Sequence, residues 1–171
     1  MKNRWYGFGV LGAVMAAGLV AITVSRPAIA AGKEVPFKGR SSGLSIAGSF
    51  DPVAGIAHGS IEGEGQASHL GRFTVTGDVA VEVATGMAQG TWTLAAANGD
   101  QIFLDMVGEN GSDDHHGAGQ FTVTGGTGRF EGASGSYEQI ITFAVPLGSA
   151  DVIDYTDVFE GTISTVGSNQ H

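Results

Sequence analysis

No cysteine occurs among the 171 residues, only four are proline, and eight are basic against 17 acidic, for a formal net charge of −9. Without thiols the fold has no disulfides, and both thiol chemistry and Cys-ligated zinc are excluded. The shortage of cations argues against nucleic acid, because neutralising phosphates requires a basic surface. Charged residues make up only 15 % of the chain while 42 % are hydrophobic, a balance that can bury enough apolar surface to fold. Helix signals are also scarce. Glycine supplies 29 residues without a G-X-Y period, which excludes collagen, disfavours helix bundles and favours a turn-rich all-β domain.

The only long apolar run lies at the N-terminus. Lys2 and Arg4 precede twenty uncharged residues, Trp5 to Val24, followed by Arg26, Pro27 and the small-residue run Ala28, Ile29, Ala30, Ala31. This is the charged, apolar, small-residue order of a secretory signal peptide, with cleavage expected after Ala30. The stretch is also long enough for an uncleaved membrane anchor. With residues 1–30 removed, five basic residues face 17 acidic ones, a net of −12. An anionic membrane surface would repel such a chain. The expected place is outside the cytoplasm, secreted or periplasmic.

The mature chain reads as a loose arm over 31–43, a barrel domain over 44–166 and a tail over 167–171. Within the domain, short alternating runs predict strands at Leu44 to Phe50, Ala57 to Gly63, His69 to Thr76, Val79 to Val83, Gly90 to Ala96, Gln101 to Val107, Gly119 to Thr124, Gly135 to Val145 and Val158 to Thr165. Asn98-Gly99 and Asn110-Gly111 are tight-turn dipeptides that bracket one of these runs. Gly71 to Gly77 (GRFTVTG) and Gly119 to Gly125 (GQFTVTG) agree at six of seven positions. In such segments Phe73, Val75, Trp92, Leu94, Phe121 and Val123 share one face with threonines on the other, so one face is core and the other wet. No helix is available to cover the core face. The sheet must close on itself or stack on a second sheet, and closure also removes exposed edges, so a single closed antiparallel eight-stranded β-barrel is expected, with a two-sheet sandwich as the alternative. Ile102 to Val107 and Ile140 to Val145 are apolar on both faces, which predicts cover by another subunit, by the arm, or by the connection Ala144 to Tyr155.

Gly125 to Gly135, GGTGRFEGASG, resembles the G-G-T-G-x-F-x-x-A-x-G phrase of plant dirigent proteins and of the wider allene-oxide-cyclase-like barrels. SHLGRFTVTG at Ser68 to Gly77 and EGTIS at Glu160 to Ser164 are similar to exported bacterial members of that group, most of unassigned function. The resemblance spans Leu44 to Ser164. It implies an eight-stranded barrel, often trimeric, whose lumen in the plant members holds an oxylipin or a phenolic intermediate. The catalytic acids and bases of those plant families find no matching positions here.

Few residues carry a chemical signature of their own. His69 shares strand parity with Phe73, which would project it into the barrel mouth as a general base, with Glu138 as companion; a hydrogen bond to a loop carbonyl is the plainer role. The loop ENGSDDHHGAG, Glu109 to Gly119, gathers Asp113, Asp114, His115 and His116, side chains able to bind Ca²⁺ or Zn²⁺, but the spacing fits no standard metal loop and a solvated hairpin loop is the simpler reading. Asp151, Asp154 and Asp157 read as a solvated connection or a weak Ca²⁺ contact. Nothing calls for a cofactor. The functional expectation is therefore a barrel holding a small apolar ligand in a lumen lined by Phe73, Val75, Trp92, Leu94, Phe121 and Val123, without covalent chemistry. The alternatives are a cofactor-free isomerase or lyase on a lipid-like or phenolic substrate, and a structural or interaction protein with a filled barrel.

Overall fold

A computed structural model describes residues 33–110 and 115–164. Among these residues eight strands follow one another: β1 (Glu34–Asp51), β2 (Ile56–Ala67), β3 (Gly71–Glu82), β4 (Met87–Ala96), β5 (Gln101–Asn110), β6 (His116–Gly126), β7 (Ser134–Phe143) and β8 (Val152–Ser164), with a 3₁₀ turn, Gly128–Phe130, before β7. Each is antiparallel to the next, and β8 pairs with β1 to close the barrel. Closure leaves no edge strand among the described residues, the solution required of an all-β chain with one apolar face.

Two expectations need correction. The segment read as a loose arm is strand from Glu34 onward, paired with β8 from Glu34↔Ser164 and with β2 from Gly39↔Ala67. Its alternation is muted by Gly39 and Ser41 on the inward side and by Pro36, which sits where β1 pairs with β8 alone. The runs His69 to Thr76 and Val79 to Val83 belong to one strand, because Gly77 continues the ladder opposite Ile61 and Trp92. The expected signal peptide (1–30), the tail (167–171), Asp113 and Asp114 lie outside the described residues.

The two ends of the barrel differ. At the end holding the turns after β2, β4 and β6, Phe37, Phe130, Ile102, Leu104 and Ile163 are essentially fully buried. The GGTGRFEGASG segment forms this plug: Gly128 takes a positive φ of 59°, and Phe130 turns inward with no exposure. Arg129 ties the turns together, donating to the Leu70 carbonyl at 3.0 Å and pairing with Asp100 at 3.3 Å. Across mid-barrel runs a layer of rings: Phe73 to Phe159 (6.3 Å between centroids), Phe159 to Tyr137 (4.8 Å), Tyr137 stacked on Phe121 (4.9 Å), and Phe121 edge-on to Trp92 (5.3 Å). Each pair adds about 0.5–1.5 kcal/mol beyond its buried area.

Glycine makes room for these rings. Gly65 stands opposite Phe73 and Gly77 opposite Trp92 in register, and a Cβ at either would come within 2.5 Å of the facing ring. At these positions glycine houses an aromatic ring across the strand pair.

Candidate functional site

Above the ring layer the inward positions become small. Ser45, Ala57, Gly59, Gly117 and Gly119 point where the other end of the barrel carries Phe, Leu and Ile, and the space left is a cavity of about 610 Å³. This lies within the range typical of small-molecule sites, about 300–1,000 Å³. Its floor is Trp92 and Phe121, its wall includes Ile61, Val79, Val81, Met106, Ile141, Phe143 and Ile153, and its rim carries His58, Thr85, Glu109, Asn110 and Leu147. Among the described residues no Lys or Arg lines it, and His58 and Glu109, both at the rim, are the ionisable lining groups.

All six residues expected to face the lumen do turn inward, each at most 8 % exposed. Only Trp92 and Phe121 line the cavity. Phe73, Val75, Leu94 and Val123 lie in the packed core instead, so the lumen is half filled and half open.

The catalytic candidates fall outside. His69 occupies the β2–β3 turn, exposed, with a φ of 63°; the left-handed turn breaks the strand parity that would have aimed it inward, and Leu70 enters the core in its place. Glu138 is on the outer face of β7, exposed and opposite Glu160 of β8. Neither reaches the lumen. Of the metal candidates, His115 places its Nδ1 3.2 Å from the Phe143 carbonyl oxygen, and His116 opens β6 opposite Thr142. No group of three metal-binding side chains forms among the described residues.

What the sequence reading missed is a polar cluster in the wall beside the cavity. Asp157 shares the inward parity of Ile153, Tyr155 and Phe159 and is buried, whereas Asp151 and Asp154 are exposed. Its carboxylate accepts three hydrogen bonds: from the Ser41 backbone N–H at 2.9 Å, from the Ser41 hydroxyl at 2.5 Å, and from Nε2 of Gln139 at 2.9 Å. Burial pushes the Asp157 pKa above the usual carboxylate value, and the Ser41 donors pull it part of the way back. Tyr155 lies alongside. Its phenol is raised to about 12, chiefly by burial, and its buried hydroxyl makes no hydrogen bond among the described residues. The Tyr137 phenol, stacked in the ring layer, is also raised well above its ordinary value by burial. The signal for Asp157 was present in the sequence, in the alternation Ile153, Tyr155, Asp157, Phe159, which outweighs the three-residue spacing of the aspartates.

On the outer wall, a groove of about 530 Å³ runs over the β8–β1 seam, flanked by Arg40, Gln66 and Arg72. The runs predicted to be apolar on both faces divide here. Ile141 and Phe143 turn to the cavity, while Phe103, Val107, Ile140 and Val145 remain exposed on the outside.

No protein-family model matches the sequence, and no curated protein matches it. Among solved structures the fold is similar to that of the pterocarpan synthase dirigent protein GePTS1, with a TM-score of 0.55 and 14 % sequence identity over 81 % of this chain and 89 % of that chain. The barrel is thus dirigent-like in fold, in keeping with the resemblance carried by GGTGRFEGASG.

Proposed function

We infer that this chain is an exported barrel that holds one small apolar molecule in the cup at its open end, without covalent chemistry. The observation that carries this reading is the cavity itself: about 610 Å³, walled by aliphatic side chains and floored by Trp92 and Phe121. Apolar contact area of this kind favours an apolar guest at about 25 cal/mol per Å² buried. Export rests on the order of Lys2, Arg4, the apolar run and Ala28 to Ala31. The test is titration with N-phenyl-1-naphthylamine, an uncharged apolar fluorophore. A saturable 1:1 enhancement is expected, lost in Ala57→Phe, which fills the mouth. No saturation, or binding untouched by Ala57→Phe, overturns the reading.

A second reading, a cofactor-free isomerase or lyase, draws support from Asp157, a buried titratable group one side chain away from the cavity, and from the fold shared with a protein named as a synthase. It is the weaker of the two because the Asp157 carboxylate is already occupied by three donors, two from Ser41 and one from Gln139, and Asp157 itself does not line the cavity.

A further inference from the structure

Apart from the small Ser45 of β1, the inward wall of the cavity is apolar except at one position of β7. Gln139 lines the cavity and donates its amide Nε2 to Oδ2 of Asp157 at 2.9 Å. That bond settles which way the amide points. The Asp157 carboxylate also receives both the N–H and the hydroxyl of Ser41, so it acts solely as an acceptor and only the amide NH₂ can face it. The amide oxygen, Oε1, is left on the other side. It has no partner among the described residues, and it is not among the buried polar atoms lacking one. Its access is to the cavity that Gln139 lines.

The geometry points to Gln139 as the residue that reads the ligand's polar group, with Asp157 and Ser41 as the positioning residues that hold its amide, so that the cup takes an uncharged molecule bearing a hydrogen-bond donor and rejects a carboxylate. A hydroxyl or N–H at this depth meets a fixed acceptor. A carboxylate there would face Oε1 with the Asp157 carboxylate behind it, and among the described residues no Lys or Arg lines the cavity to offset either. An ether or hydrocarbon of the same size would leave Oε1 dry and unpaired. This deepens, and rests on, the reading of the cup as a ligand site.

The test compares 1-adamantanemethanol, its methyl ether and 1-adamantanecarboxylate, which share one apolar cage, by calorimetric titration of the purified protein at neutral pH. The alcohol is expected to bind about fivefold more tightly than the ether, the yield of one net hydrogen bond, and at least about tenfold more tightly than the carboxylate. In Gln139→Leu, or in Gln139→Met if the first variant folds poorly, alcohol and ether should bind alike while ether affinity is kept, a result that general damage to the barrel would not give. In Asp157→Asn the amide is no longer compelled to face one way, so the alcohol-to-ether ratio should shrink with Gln139 intact. Equal binding of alcohol and ether by the unaltered protein, tightest binding of the carboxylate, or a ratio that survives both Gln139 variants overturns the inference while leaving the cup in place. Failure of all three probes to bind overturns the cup reading and this inference with it.

Discussion

Asp157 is the residue on which the polar part of the barrel turns. Three donors converge on it, and removing the carboxylate strands all of them in a buried wall. Asp157→Ala should therefore cost about 2 kcal/mol of stability, the desolvation penalty of buried donors left unpaired. The pH dependence has a definite sign. Because burial raises the folded pKa above the unfolded value near 3.8, the folded state holds the proton more tightly. Its contribution to stability is fully present below the unfolded pKa and is lost as pH rises through the folded one. Guanidinium melts of the wild type and Asp157→Asn at pH 4 and pH 7 check this: the wild-type advantage over the variant should be larger at pH 4. A larger advantage at pH 7 would mean that the Ser41 and Gln139 donors outweigh burial.

At the level of elements, the strands work as matched pairs in which a glycine on one strand faces a ring on its neighbour. Gly77 of β3 and Trp92 of β4 are the pair nearest the cavity floor. Gly77→Val would drive its branched side chain into the indole, forcing Trp92 toward the cavity or opening the β3–β4 ladder. A loss of about 1–3 kcal/mol is expected, as for other overpacked cores, together with a shift of Trp92 fluorescence and weaker binding of the naphthylamine probe. An unchanged melting temperature would show that the floor yields more readily than close packing allows. The turn elements follow a different logic. Asn98-Gly99 makes the predicted tight turn, with Gly99 at a φ of 90°, whereas the β2–β3 turn places a left-handed φ on His69, a conformation uncommon for any residue but glycine. That single dihedral is why the expected active-site histidine is a surface residue.

For the whole molecule, the outer wall keeps apolar groups that the barrel itself does not cover. Ile140 of β7 stands directly opposite Val158 of β8, both 58 % exposed, and Phe103 and Val107 are exposed on β5. The arm once expected to cover them is a wall strand instead. We propose that part of this face meets a second copy of the chain, as exposed apolar patches otherwise invite aggregation. Light scattering at micromolar concentration should give a mass above that of one chain, falling to the monomer in the double variant Ile140→Lys, Val158→Lys. A monomeric wild type overturns the assembly.

The sequence by itself determined the class of fold and the sidedness of nearly every strand. Both follow from a period of two, a local property: Phe73, Val75, Trp92, Leu94, Phe121 and Val123 all face inward, and their sequence neighbours, polar except for Ala95, are half-buried or exposed on the other face. GGTGRFEGASG can form the plug because it combines glycines that take positive φ with one large apolar residue, Phe130. Tertiary structure alone decided which inward residues stand at the same height. Height in a closed barrel depends on how far each strand is staggered against the next, and that stagger is fixed only when β8 meets β1. It brings Ser45, Gly59, Gly117 and Gly119 to one end, where their small side chains leave a cup, and the large rings to a single layer beneath them. It also sets Ser41 across from Asp157, 116 positions apart in the chain, with Gln139 at hydrogen-bonding distance. Periodicity assigns each of these residues a side; only closure gives it a neighbour.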